Sequence, residues 1–293
     1  MSSSHPSRDA IVATARETIA RGSKSFGLAS KLFDRPTRER AWLLYSWCRA
    51  CDDLADGQEL GGVLHQVGDP AARLATIRDL TGRALAGEWV GAAPFDGLRL
   101  LCAEVSIPRP MIEDHIAGFA LDAQGWRPET EADLIRYCHH VAGAVGQMMA
   151  VVMGVAPDDT DTLGRADDLG IAFQLANIAR DIREDAEGGR CYLPVDWLPG
   201  IRSLAAHRSE LAILIQRLAD LAARYEASAR IGARRLPFRS RWAVLAAAGI
   251  YGGIARKVAV QGEAALDRRV TTGRAAKLGW MVRSLGQALG GTR

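Results

Sequence analysis

Gln174-Leu175-Ala176-Asn177-Ile178-Ala179-Arg180-Asp181-Ile182-Arg183-Glu184-Asp185 reads as one turn after another of a single helix with two unlike faces. At about 100° per residue, Gln174, Asn177, Asp181 and Asp185 fall in one narrow polar stripe, with apolar Ile171, Leu175 and Ile178 beside it. Ionised carboxylates within a core are costly unless they are paired or bound to metal. A helix that buries its flank therefore has little reason to carry two amides and two acids in a row. A solvated outer face, with Arg180 and Arg183 as ordinary surface partners, is the other reading of the same stripe. Much earlier in the chain, Asp52-Asp53-Leu54-Ala55-Asp56 repeats the arrangement. Asp52 and Asp56 share a helical face at i and i+4, Asp53 sits to one side, Arg49 lies one turn upstream, and Tyr45 extends the stripe. A single pair of this kind is common on exposed helices. Two of them, each with an upstream arginine, suggest a cavity that holds a diphosphate. Hard cations such as Mg²⁺ bridge carboxylates to phosphate oxygens, and arginine adds a bidentate clamp.

The surrounding chain is helical in pattern. Leu211, Leu214, Ile215, Leu218, Leu221, Ala222 and Tyr225 step by three and four, with Arg217, Asp220, Arg224 and Glu226 assigned to the other side. Thr130-Glu131-Ala132-Asp133 has the form of a capping box opening a helix from Leu134 to about Met153. Period-two strands, repeats and low-complexity linkers are missing from the pattern. The expectation is one all-α domain over residues 1–293, with nine to eleven helices. Gly57 to Pro70 and Gly188 to Gly200 read as loops following the two acidic segments.

Composition narrows the function classes. With 293 residues, 48% of them hydrophobic, the chain can bury a large core, and a net charge of +3 with dispersed basic residues gives no reason to expect nucleic acid. Met1 to Arg8 lacks the apolar core of a signal peptide, and no run reads as the roughly 18–20 apolar residues that cross a bilayer. A cytoplasmic protein, with peripheral membrane contact at most, is the expectation. The five cysteines, Cys48, Cys51, Cys102, Cys138 and Cys191, have no framework spacing and read as reduced thiols. A zinc site built on Cys48 and Cys51 would need two further ligands, for which His139 and His140 are the adjacent candidates.

Two further segments carry chemistry. Gly22-Ser23-Lys24-Ser25-Phe26 offers small hydroxyls and one cation to a phosphate, or marks a helix boundary. In Tyr137-Cys138-His139-His140-Val141-Ala142-Gly143-Ala144-Val145-Gly146, the glycines allow close helix packing or leave room for a bulky apolar ligand.

Taken in order, Ser23 to Phe26, Tyr45 to Asp56, Tyr137 to Gly146, Leu169 to Asp185 and Gly189-Arg190-Cys191-Tyr192-Leu193-Pro194 resemble the squalene/phytoene synthase family, and within it the bacterial phytoene synthases. His139 departs from the aromatic residue common there, which bears on the pocket wall. The resemblance implies an all-α isoprenoid synthase fold, with the helices around a central cavity. It implies head-to-head condensation of two geranylgeranyl diphosphates, through prephytoene diphosphate, to phytoene, with loss of two diphosphates. By the same resemblance Asp52, Asp56, Asn177, Asp181 and Asp185, with Asp53, would hold Mg²⁺, for which Mn²⁺ would substitute. Arg49, Arg180, Arg183 and the segment Ser23, Lys24, Ser25 and Phe26 would contact substrate. Tyr45, Tyr137 and Gln174, together with Arg49 and Arg180, would serve the reaction centre. No NADPH is expected. Squalene-type synthesis from C15 diphosphates uses nearly the same motifs, and a helical assembly factor that kept the fold without the chemistry is the alternative from another class. Arg256, Lys257, Arg268, Arg269, Arg274, Lys277 and Arg283 form a basic C-terminal third that would suit anionic lipid or simply a solvated face.

Overall fold

Two long helices, each ending in an acidic segment, set the architecture of the computed structural model, which describes residues 5–57, 69–200 and 206–290. The first, α3 (Arg35–Ala55), starts where the Asp34 carboxylate accepts from Thr37 N–H and Pro36 occupies the first turn. It buries Leu43, Leu44, Trp47, Cys51 and Leu54, and it closes with Asp56 N–H donating to the Asp52 carbonyl at 2.9 Å. The second, α9 (Thr160–Glu187), is capped by Asp159 and buries Ile171, Leu175, Ile178 and Ile182. It stops before Gly189, whose φ of +75° suits glycine.

The other helices are α1 (Arg8–Gly22), α2 (Lys24–Ala29), α4 (Pro70–Leu85), α5 (Ala93–Glu104), α6 (Arg109–Ala123), α7 (Glu131–Cys138), α8 (Ala144–Val152), α10 (Arg208–Ala233), α11 (Phe238–Gln261) and α12 (Arg274–Gly290). The described residues contain no strand. Among the described residues, twelve helices exceed the expected nine to eleven because Ser23 splits α1 from α2, and because the helix expected from Leu134 to Met153 is interrupted. Its capping box at Thr130 and Asp133 forms as read, but His139–Gly143 make a π-turn between α7 and α8. Of the loop expected over Gly57 to Pro70, residues 58–68 lie outside the described residues.

One core packs behind α3, with Trp47, Phe95, Leu98 and Ile112, and joins α1, α4, α5, α6 and α8 to it. A second packs behind α9, with Leu134, Leu175, Ile215, Leu218 and Val258, and joins α7, α10 and α11. The halves meet where α8 and the π-turn cross α9. There Gly170 lies against the backbone of Ala142 and Gly143, so that a Cβ at Gly170 would stand 2.6 Å from Gly143 N and overlap the Ala142 carbonyl. The two segments must separate to admit even a methyl group. Gly170→Ala is accordingly expected to destabilise the fold by about 1–3 kcal/mol or more, read as a lower midpoint in urea; an unchanged midpoint would mean the crossing yields freely.

Two expectations need correction. Glu226 is 6% exposed, on the inward side of α10, because it holds two cations: Arg230 Nη2 at 2.6 Å and Arg256 Nη1 at 3.0 Å. Also, Phe238–Leu266 contains a window of mean hydropathy 1.4, long and apolar enough to cross a membrane by length and composition. Here α11 is packed against α9, α10 and α12.

Candidate active site

Both acidic segments sit at the C-terminal ends of their helices, where the backbone dipole is negative and cations are favoured. They face one polar cavity of about 660 Å³, lined by Arg49, Asp52, Asp56, Asn177, Arg180, Asp181 and Asp185. An apolar cavity of about 370 Å³ adjoins it. Asp52, His115, Val141, Gln174 and Asn177 line both. The apolar cavity continues past Tyr45, Cys48 and Leu44 on α3 and past Phe173, Leu169 and Arg165 on α9. Sixteen residues of helix separate Arg165 from Asp181, about 24 Å at 1.5 Å per residue. A charged chamber thus opens onto a long apolar one.

The charges in the polar cavity are closely paired. Arg180 clamps Asp181 through Nε at 2.7 Å and through Nη2, and Arg269 approaches the same carboxylate with two bonds of 3.1 Å. Arg190 Nη2 donates to Asp56 at 3.1 Å. In the same lining Tyr137 and Tyr192 donate to Asp122, at 3.1 and 3.2 Å, and their rings stack 4.9 Å apart. Asp52 is open to the cavity, yet protein surrounds it. Burial pushes its carboxyl up to about 7; Arg49 opposes this, and Asp56 and Asp53 add to it. Asp185 is pushed up to about 6, first by burial and then by Asp181.

This donor set fits hard divalent ions. Its candidate ligands are all oxygen, they come from two helices, and burial, with neighbouring acids, holds two of its carboxyls in a state that a cation would relieve. The expected consequence is a pH-dependent affinity. Because Asp52 and Asp185 must lose protons to bind, apparent Mg²⁺ affinity should fall as pH drops from 8 to 6, by up to about tenfold per unit for each proton displaced. Calorimetric titration at several pH values checks this, and a flat profile would remove these carboxyls from the ligand set.

The cavities do not gather every expected residue. Tyr45, Ser23, Ser25 and Phe26 line the apolar cavity, Tyr137 lines the polar one, and Gln174 lines both. The Ser23 hydroxyl accepts from Phe26 N–H at 3.2 Å as the cap of α2, so the helix-boundary reading describes its present bond. Lys24 is exposed and lines neither cavity. Arg183 turns away, donating to the Asp267 carbonyl at 2.8 Å, and Asp53 lines neither cavity but pairs with Arg49, which lines the polar one. His139 is not a wall residue, since its Nδ1 bonds Asp167 Oδ1 at 2.7 Å. Arg73, Asp122, Arg190 and Tyr192 in the polar cavity, and Tyr251 stacked 4.2 Å from Phe173 in the apolar one, were not singled out from sequence. Arg190 and Tyr192 had a signal, lying just after the second acidic helix. Arg73, Asp122 and Tyr251 arrive on α4, α6 and α11 by folding alone.

Known proteins repeat this architecture. The chain is 45% identical over 272 residues to the 15-cis-phytoene synthase of Paracoccus sp. (strain N81106 / MBIC 01143), covering 92% of this chain and 89% of that one. It is 43% identical over 281 residues to the 15-cis-phytoene synthase of Pantoea ananas, covering 93% and 90%. A solved dehydrosqualene synthase superposes with a TM-score of 0.84 at 23% identity over 97% of this chain and 98% of its own, a likeness of fold. Residues 19–276 match the family model described as squalene/phytoene synthase. With that match spanning α2 to α11 and both acidic helices inside it, the chain belongs to the squalene/phytoene synthase family.

Proposed function

We propose that this protein is a phytoene synthase, joining two geranylgeranyl diphosphates head to head with loss of both diphosphates. The observation that carries the reading is the 45% identity, across 92% of the chain, to a relative named for that product. The adjoining charged and apolar cavities supply what such a reaction requires.

Asp52, Asp56, Asn177, Asp181 and Asp185 would hold Mg²⁺, with Mn²⁺ as a substitute. The bound ions supply Lewis-acid stabilisation of the departing diphosphate. Arg49, Arg73, Arg180 and Arg190 line the same chamber and offer forked donors to phosphate oxygens. Gln174 and Asn177 stand at the junction, where the reacting carbons must lie if the headgroup is in one chamber and the tail in the other. Apolar walls exclude water that would quench an allylic cation. The aromatic rings of Phe26, Tyr45, Phe173 and Tyr251 in this lining would add cation–π stabilisation. Protein charge and positioning do the rest.

Product analysis tests this reading. Geranylgeranyl diphosphate with Mg²⁺ and without NADPH should give phytoene, and chelation should abolish it. Product from farnesyl diphosphate alone would move the enzyme to squalene-type chemistry, and none from either would end the catalytic reading.

A cytoplasmic protein with peripheral membrane contact belongs to the same proposal, since substrate and product are both lipophilic. The basic C-terminal third is not one free array, because Arg256 pairs with Glu226 and Arg269 with Asp181 and Glu184. The better-suited surface is α12, where Leu278 and Val282 are 56% and 73% exposed beside Arg274 and Arg283. Leu278→Glu with Val282→Glu should cut sedimentation with anionic vesicles at least tenfold; unchanged binding removes α12 as the contact.

A further inference from the structure

The sequence offered His139 and His140 as partners for Cys48 and Cys51. All four are present, but the cysteines are buried free thiols on α3 and the histidines face elsewhere. On the π-turn, His139 and His140 are neighbours in sequence whose side chains both reach Asp114 on α6. His139 Nε2 lies 3.6 Å from Asp114 Oδ2, and His140 Nδ1 lies 3.7 Å from Asp114 Oδ1. One ligating atom from each of the three residues can be chosen so that all lie within 4.8 Å of one another. Two imidazoles and a carboxylate bound to zinc at about 2.0–2.1 Å would stand roughly 3.3 Å apart along the edges of a tetrahedron. The two histidine–carboxylate distances lie a few tenths of an ångström outside that geometry, and the widest of the three separations, within 4.8 Å, closes by side-chain rotation.

Two independent details support a ligand there. Asp167 accepts from His139 Nδ1–H at 2.7 Å, which orients the ring with Nε2 toward Asp114, where an ion would displace any proton on it. A carboxylate behind a metal-binding imidazole orients it in just this way. The other detail is His140 Nδ1, a buried atom on a partly exposed ring, which stands 3.7 Å from Asp114 Oδ1, too far for a hydrogen bond to that carboxylate. Buried polar atoms seldom go unpartnered. The scaffold is tight as well: a Cβ at Gly118 on α6 would sit 2.7 Å from Val141 Cγ1, and Gly143 leaves the space that the Asp167 carboxylate occupies. π-turns also concentrate at functional sites because they redirect consecutive side chains.

We propose that Asp114, His139 and His140 bind one borderline-soft divalent ion, zinc by ligand type, with Asp167 as the orienting carboxylate and water completing the shell. This site is separate from the all-oxygen aspartate site. It ties α6 to the π-turn behind His115 and Val141, the two residues from these elements that line both cavities. Its role is to hold that wall. It does not depend on which diphosphate the enzyme takes.

The test uses intact protein, stripped with chelator and then kept in excess Mg²⁺ so that the aspartates are occupied. One equivalent of Zn²⁺ should bind with micromolar or tighter affinity. At saturating zinc the melting temperature should rise by about 5 °C. Co²⁺ in its place should give the visible spectrum of a four-coordinate site. His139→Phe should weaken binding at least 100-fold. Asp167→Asn should weaken it about 10- to 100-fold, as expected for an orienting partner. His140→Gln provides a second ligand deletion should the phenylalanine variant fail to fold. Equal zinc affinity in the wild type and both histidine variants overturns the proposal. So does the lack of saturable binding below about 100 µM, or zinc that Asp52→Asn releases.

Discussion

Asp52→Asn is expected to lower turnover by about 10³-fold or more, since under the proposed function several kcal/mol of diphosphate stabilisation would pass through this carboxylate. The same change should raise the melting temperature of the protein in chelator at pH 8. The sign follows from burial, which pushes the Asp52 carboxyl up from 3.8 to about 7. The folded protein therefore holds a proton over a range in which the unfolded chain has released it. Stability falls as pH rises from about 4 to 7 and stays lowered above that. Asparagine removes the effect, so the gain should be present at pH 8 and vanish near pH 4. Loss of activity together with a gain in stability is the signature of a carboxylate kept for metal rather than for the fold. A variant that is both active and less stable would show Asp52 to be a structural residue.

Ala233→Phe should change which substrate the enzyme prefers. Ala233 lines the apolar cavity near the end of α10, beside Leu236, and its neighbour Gly232 packs against Arg165, where a Cβ would meet Arg165 Cβ at 2.6 Å. That places it about 24 Å along α9 from Asp181. Under the proposed function, a phenyl ring at this end would take up the space where the tail of a C20 substrate would finish, while a C15 tail would stop short of it. Overpacking of this kind costs about 1–3 kcal/mol, or roughly 10- to 100-fold in selectivity. Turnover of geranylgeranyl diphosphate should fall by that factor relative to farnesyl diphosphate, measured within the one variant, where any loss of fold stability from overpacking at buried Ala233 acts on both substrates alike. An equal loss with both substrates would mean that the tail does not reach Ala233.

The parts of the site that sequence reveals are those carried on single helices. The stripe Gln174, Asn177, Asp181 and Asp185 and the pair Asp52 and Asp56 are legible because helical periodicity alone decides which residues share a face. Periodicity also places Asp53 and Arg183 off that face, and each is indeed paired elsewhere. Lys24 was attractive for its charge and its hydroxyl neighbours, but the boundary at Ser23 turns it outward. Residues that reach the site from other helices leave no local trace. Arg269 meets Asp181 across 88 positions and Arg190 meets Asp56 across 134. Glu226 was misassigned for a related reason: a buried acid defies amphipathic reasoning unless its arginine partners, one of them 30 positions away, are known. The π-turn is invisible to a 3.6-residue period, since one extra residue shifts the phase only where packing against α6 and α9 demands it.

A crystal of the protein grown with Mn²⁺ and a non-reactive thiodiphosphate analogue of the C20 substrate bears most directly on the central claim, that the ends of α3 and α9 share one diphosphate. Anomalous scattering should place manganese between Asp52 and Asp56 on one side and Asp181 and Asp185 on the other, with the tail running past Tyr45 and Phe173 into the apolar cavity. Manganese bound to only one helix, or a tail lying outside that cavity, would contradict it.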